Sequence, residues 1–532
     1  MSLHQNTVEV LDGGACGAGF PGELWSLRED VLLETGVAGE PLTLVSRWGE
    51  IAIRHPGPLL REALGRMQLG PVSLENVLDG GPGRRRETLV ERARLLVALG
   101  RLQHLVVRSV AAEDGENVLL SVKPIAYEAE FRPRPVDPDR PLRLSTYAAL
   151  AAEGGTFTAC SPLSLHKVLL HRPEAGALIT LLARPQSAAD VVRAARLPPR
   201  LAFTVLSYLL EAGIAVPGED GVDGPFFAED SDLALRLWPP EDLMFHSRST
   251  LGRQDREFGA TYPSAGRLRP LPAVAPRPER DRIALYRPQL ADLLATDPPF
   301  TAVLEARRSV RRLSVPPTVR ELGELLYRAL RIRALLGPAG AEPLEGDLID
   351  RPYPAGGAIH ELEFYITVGD CTGLEPGVYA YEALRHELVP VNRERAAREE
   401  LLDRARCAAT LDAPPPVLIT VTARFGRVHW KYSGLGYALI LKHAGVVLQT
   451  LYLVTTAMRL AGCAIGTSEI EESSRAFGVD WRAESAVAAF VLGREPDEPR
   501  PAEPAAVHPA NDPQWREECE RMLAERSSQV NE

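Results

Sequence analysis

The sequence predicts an α+β chain of several units, with winged-helix-like modules in front and a mixed helix–strand domain behind. Three observations carry this. The 532 residues exceed one ordinary domain, so two to four units are expected. Short alternating runs bounded by turn residues are interleaved with helical spacings. A proline- and arginine-rich stretch, PSAGRLRPLPAVAPRPERDR, has the composition of a linker between front and back.

The first unit is placed at residues 1–140. Within it Leu42–Ile53 holds two short strands, and Leu59–Met67 and Thr88–Leu99 have helical spacing. Leu105–Val110, the turn AEDGEN and Val118–Val122 read as a hairpin. The second unit, 141–262, opens with a strand pair over Thr156–Leu170. Helices follow at Ala175–Leu182, Ser187–Ala195 and Arg200–Ala212, with Ser187 as N-cap and Gly213 as stop. Strands, three helices and a wing describe a winged-helix-like module, and the similar order of the two units suggests a weak internal duplication. Such modules bind DNA or peptides. The acidic balance and the lack of a basic recognition helix favour peptide. Residues 263–285 form the linker, 286–495 the third unit, and 496–532 a mobile tail with a short helix near Trp515–Leu523.

Composition narrows the function classes. With 45% hydrophobic and 25% charged residues the chain is globular. A net charge of −11 argues against a general nucleic-acid binder. The six cysteines are scattered without a C-x-x-C pair, so neither a metal site nor a disulfide framework is expected, and a cytoplasmic setting fits. No basic segment followed by an apolar core opens the chain, so no signal peptide is expected. The apolar run Ala444–Met458 is short for a membrane span and reads as a buried helix.

Three segments carry candidate chemistry. In EARRSVRRL, Glu305–Leu313, Arg307, Arg308, Ser309 and Arg311 lie between two helices. Arginine forks suit phosphate oxygens and the serine adds a donor, although taken alone a solvated basic turn is the plainer reading. In RPYPAGGAIHELEFYITV, Arg351–Val368, prolines stiffen the entry to Gly356 and Gly357, which permit positive φ and close backbone approach. Such a loop can lie against a flat ligand, or it can be a strand-entry turn. In His429–Ile470, Lys431 and Tyr432 precede a helix that is apolar on nearly all sides and closed by Gly462, Gly466 and Thr467. A desolvated lysine there could serve as acid or base, against the bland alternative of a surface charge. Gly17, Gly19 and Gly22 fit G-x-G-x-x-G, but no βαβ unit follows and Pro21 interrupts the turn, so dinucleotide binding is set aside. No G-x-x-x-x-G-K-[ST], H-E-x-x-H or G-x-S-x-G occurs.

The order R-R-S-x-R, then R-x-Y-P-x-G-G-A-x-H-x-L-E, then K-Y before a buried helix ending in G-x-x-I-G resembles the SagB-type dehydrogenases. These are FMN-dependent members of the nitroreductase superfamily that act in thiazole/oxazole peptide biosynthesis. The likeness covers 286–494, and DLMFHSRSTLGR at 242–253 looks like the segment leading into that domain. It implies a three-layer α/β/α flavoprotein domain, a homodimer with FMN at its interface, and oxygen as electron acceptor. It implies that Arg307, Arg308, Ser309 and Arg311 hold the phosphate and ribityl chain, with Arg494 a further phosphate ligand. Pro354, Ala355, Gly356 and Gly357 would line the flavin, Gly466 and Thr467 would approach it, and Lys431 and Tyr432 would be catalytic. Ala355 stands where the family commonly has serine. The front units would be peptide clamps for the leader of a precursor peptide, and a cyclodehydratase would be a partner. Rival expectations are a different flavin oxidoreductase on the same fold, or a non-catalytic peptide- or DNA-binding scaffold.

Overall fold

The computed structural model describes residues 6–7, 22–35, 41–78, 89–112, 117–222, 224–279, 281–337, 346–497 and parts of 514–522. Gly17 and Gly19, the centre of AEDGEN and most of the tail lie outside the described residues. The described positions between 514 and 522 are helical. The chain divides into two compact units, Met1–Arg256 and Glu257–Glu532.

In the N-terminal unit the expected local elements form. Leu42–Ser46 pairs antiparallel with Gly49–Ile53, and Pro58–Leu69 and Leu89–Arg101 are helices. Ser187 caps the Ala188–Ala194 helix by accepting from the Asp190 N–H, and Gly213 at φ +64° follows the Pro199–Glu211 helix. The expected boundary at 140–141 lies inside one sheet, however. Val118–Pro124 pairs with His166–Leu170, joining both halves into a six-stranded sheet. The apolar faces of Leu120, Val122, Val168 and Leu170 are buried in one core, which neither half closes alone.

The C-terminal unit contains, in order, β1 (Gly259–Ala260), β2 (Ile283–Ala284), α1 (Phe300–Ala306), α2 (Val319–Leu330), β3 (Leu362–Val368), β4 (Gly377–Glu382) and β5 (Glu387–Asn392). There follow α3 (Arg395–Ala409), β6 (Val417–Arg424), α4 (Phe425–Lys431), β7 (Tyr432–Ser433), α5 (Gly436–Ala457), β8 (Ala461–Ile465), α6 (Ile470–Phe477) and β9 (Glu484–Gly493). Seven strands form an antiparallel sheet in the order β2-β5-β4-β3-β6-β9-β8. Alternation along β3 sends Phe364 and Ile366 to one face, under α2 and α5, and Tyr365 to the other, against α3 and α6. The result is three layers. α2 starts at a full capping box, Thr318 with Glu321.

Two expectations need correction. Residues 263–285 are not a free linker. The carbonyls of Leu271 and Pro272 accept hydrogen bonds from Arg427 and Arg424, Ala273 is buried, and β2 forms the edge of the main sheet. Proline-rich composition marks a segment without its own ladder, but its carbonyls remain available to buried donors. Secondly, α5 is apolar nearly all round yet buries one stripe, Gly436, Ile440, His443, Ala444, Val447, Leu451 and Thr455. Tyr437 and Leu441 are exposed at 43% and 41%. The helix is 22 residues long and apolar enough to cross a membrane, but its stripe packs into the domain core.

Candidate active site

The turn before β3 is wound tightly. Gly356–Ala358 form one 3-10 turn, and φ is positive at Gly357 (61°), Ala358 (55°) and His360 (46°). Left-handed conformations at non-glycine residues cost about 1–3 kcal/mol each and persist only where the surroundings fix them. Two groups of residues flank this one. On one side a Cβ at Gly357 would lie 2.8 Å from Lys431 Nζ and 2.9 Å from Tyr432 Oη. On the other, the Gly356 N–H donates to His443 Nε2 at 2.8 Å. His443 Nδ1 stands 2.9 Å from Glu361 Oε1, and both side chains are buried.

Arg427 braces the end of the same turn. Its buried guanidinium donates to the carbonyls of Ile359, Leu271 and Asp347 at 2.6–3.0 Å. Burial first, and Arg424 second, pull its pKa down to about 10. Burial also pushes His360 down to about 3, with Arg351 adding to the effect. His360 is therefore neutral.

Lys431 is the last residue of α4 and is 8% exposed. Its ammonium lies 5.8 Å from the Tyr262 ring centroid and 5.9 Å from that of Tyr432. Tyr262 arrives on a short strand: Gly259 and Ala260 pair with Ser433 and Tyr432, and the Tyr262 N–H donates to the Lys431 carbonyl. Gly434, at φ +77°, lets Phe258 approach to within 2.6 Å of where a Cβ would stand.

The arginine segment docks elsewhere on α5. Ser309 Oγ is 2.7 Å from Tyr452 Oη, Arg307 lies over the Tyr452 ring, and the Val310 N–H donates to the Gly462 carbonyl. Tyr452 Oη also accepts from the Ala464 N–H. Arg308 and Arg312 flank Glu495, whose pKa is nonetheless raised by burial. Arg311 is turned away, donating to the Ala409 carbonyl at 3.1 Å. Arg494 is exposed, its backbone is paired with Val315, and its guanidinium is 3.8 Å from Glu321. Gly466 and Thr467 follow β8 and are exposed, and a Cβ at Gly466 would meet nothing within 4 Å.

Two clusters result. Gly356, Gly357, Lys431 and Tyr432 converge, with exposed Pro354 and half-buried Ala355 leading in. Arg307, Ser309 and the end of β8 form the second cluster. His443 and Tyr452, which anchor them, are nine positions apart on α5. That is about 180° around the helix and about 13.5 Å along it. Within one chain the two clusters occupy opposite flanks of α5.

Residues 304–494 match the nitroreductase family model and residues 142–255 that of the cyanobactin oxidase ThcOx. The C-terminal domain is nitroreductase-like. A curated nitroreductase-type protein of Methanocaldococcus jannaschii is 29% identical over 196 residues, 36% of this chain and 89% of that one. Among solved structures, a nitroreductase-type protein of Ralstonia eutropha shares 18% identity and spans 43% of this chain and 96% of its own (TM-score 0.32). A chain of the E. coli microcin synthetase McbBCD complex shares 17% identity over 49% and 96% (TM-score 0.30). A ThcOx-type segment ahead of a nitroreductase domain bears out the resemblance to the SagB-type dehydrogenases.

The nitroreductase domain is thus an oxidoreductase domain with an α+β fold. Sequence reading missed Glu361, Arg427, His443 and Tyr262, all of which brace the Gly-Gly turn or Lys431. The motif H-x-L-E passes over Glu361 as its variable position. Nothing in the apolar pattern of α5 distinguished His443 from its neighbours. Among the described residues no cluster of His, Cys, Asp or Glu is arranged to hold a metal ion.

Proposed function

We propose that this protein is an FMN-dependent dehydrogenase that oxidises peptide azolines, thiazoline or oxazoline, to azoles. The observation that carries the reading is the convergence of Lys431 Nζ and Tyr432 Oη on the Gly357 backbone. An acid–base pair and a side-chain-free stretch of main chain then meet at one point, as proton abstraction beside a flat redox group requires.

The residues fit FMN. Arg307, Arg308 and Ser309 offer charged forks and a hydroxyl suited to a phosphate. Pro354–Gly357 would lie along the ring system, and the open space at Gly466 leaves room for a ligand edge. Ala355 supplies a backbone N–H but no hydroxyl. Arg311 and Arg494 are the weaker members of the set, since each already has another partner. Because the two clusters lie on opposite flanks of α5, the complete site in this reading forms between two copies, across the exposed apolar side of that helix.

When bound, FMN supplies the two-electron acceptor, and oxygen would regenerate it. The chain's own groups handle the protons. The ring hydrogen between the azoline C=N and the peptide carbonyl is acidified by both, and Lys431 or Tyr432 would take it as the aromatic ring forms. Tyr262, Tyr432 and the turn stand close to the Lys431 ammonium and hold it at this point. The N-terminal unit, with its ThcOx-type segment, would bind the leader of the precursor peptide and raise the local concentration of its core. A cyclodehydratase would supply the azoline.

The test is turnover of an azoline-bearing peptide by the purified protein, with flavin identified by absorbance and mass. Wild-type oxidation that is lost in Lys431→Ala with flavin retained supports the reading. Full activity in that variant removes the catalytic assignment. A protein that reduces quinones or nitro compounds but leaves azolines untouched points to the general nitroreductase alternative.

A further inference from the structure

We infer that His443 is a positioning residue, with its tautomer set by buried Glu361, and that it holds the Gly356–Gly357 turn in its strained form. The part of this that concerns the cofactor rests on the FMN reading above. The geometry of the turn does not.

The hydrogen bonds determine the protonation state. Gly356 N is a donor and nothing else, so Nε2 of His443, 2.8 Å away, must present a lone pair. The remaining imidazole proton then sits on Nδ1 and points at Glu361 Oε1, 2.9 Å away. Glu361 is wholly buried on the segment entering β3, and its other oxygen has no hydrogen-bond partner. One oxygen of a buried carboxylate is thus committed to the imidazole. His443 itself sits on the buried stripe of α5, where the pattern otherwise places Ile440, Ala444 and Val447.

An imidazole at this position has a specific task. Positive φ at Gly357, Ala358 and His360 within four residues is held against the preference of the chain. Lys431 and Tyr432 stand close on one side of the turn, and the His443 acceptor fixes the other. A second proton on His443 would remove the acceptor and set two N–H groups against each other. Other ionisable groups near the turn are His360, which feels His443 and is itself held neutral by burial, Lys431 and Tyr432 beside Gly357, and Asp350, Arg351 and Arg427 around His360. None of these can replace the acceptor at Gly356.

The test uses full-length protein and two readouts. The first is hydrogen–deuterium exchange of the Gly356 region without added flavin. Wild type is protected at pH 7.5. His443→Leu, similar in size but without an acceptor, exchanges at least about tenfold faster, the scale for an unpaired buried donor. His443→Gln, a neutral acceptor, restores protection. The second readout is FMN affinity at pH 7.5. His443→Leu binds at least about tenfold more weakly than wild type, whereas His443→Gln binds as wild type does. Unchanged exchange in His443→Leu, or the same loss of protection in His443→Gln, overturns the inference. The expected exchange pattern with no FMN binding leaves His443 as the support of the turn and removes the cofactor reading instead.

Discussion

Gly357 and Lys431 stand so close that a Cβ on the glycine would lie 2.8 Å from the lysine Nζ. The backbone at that point also has φ +61°, so two independent penalties meet at one position. Gly357→Ala should destabilise the C-terminal unit by about 1–3 kcal/mol and displace Lys431. Denaturant titration reads the first effect and turnover the second. A variant with wild-type stability and activity would mean that the turn relaxes freely.

Lys431 and Tyr432 are expected to separate chemistry from binding. Lys431→Ala and Tyr432→Phe should lower turnover by about 10²–10⁴ where the group acts as acid or base. FMN content, read from visible absorbance, should stay near wild type. Loss of flavin together with activity would recast the pair as part of the cofactor cradle.

The arginine segment predicts a distinction between two ligands. Arg307→Ala with Ser309→Ala should weaken FMN binding by about tenfold or more and leave riboflavin, which lacks the phosphate, unaffected. Isothermal titration with both ligands decides this. Equal losses would show that the segment supports the fold at Tyr452 and does not hold a phosphate.

Arg427 should matter for stability before it matters for rate. Arg427→Met leaves the carbonyls of Ile359, Leu271 and Asp347 without their donor, at about 1–3 kcal/mol for each that water cannot reach. Calorimetry should show a lower Tm for the C-terminal unit and an unchanged N-terminal one.

Acid should destabilise the fold in a defined window. Burial lowers His104 and His166 to about 4 and His360 to about 3, while an unfolded imidazole titrates near 6.5. Above pH 6.5 both states are neutral and stability is complete. Below it the unfolded chain takes up protons that the folded chain refuses, so stability falls as pH drops toward 4. The slope is up to about 1.4 kcal/mol per pH unit for each group. Denaturation midpoints between pH 7.5 and 5 check the sign, and His166→Gln should make the slope shallower.

The parts legible in the sequence are those decided locally. Ser187 as a cap, Gly213 as a stop and the Gly356–Gly357 turn each depend on a few neighbouring residues. So does the alternation that makes β3. What escaped the sequence depends on partners far away in the chain. His443 meets Gly356 across 87 residues and Glu361 across 82, and its helical setting is apolar throughout. The sheet whose strands flank the expected boundary at 140–141 is likewise a long-range pairing, invisible to any local pattern. The segment 263–285 misled for a different reason. Composition reports what a stretch can build by itself, whereas this stretch is held by the arginines of its host.

That last feature dictates where the oxidoreductase could be separated from the rest. A fragment starting at Tyr286, where motif similarity begins, would discard Phe258, the strand at Gly259–Ala260, Tyr262 and the carbonyls that receive Arg424 and Arg427. It would leave two buried guanidiniums short of acceptors and strip Lys431 of an aromatic neighbour. Any transplant of this domain onto another front half would have to be joined ahead of residue 257. The proline-rich stretch would then travel with the enzyme as its own cargo.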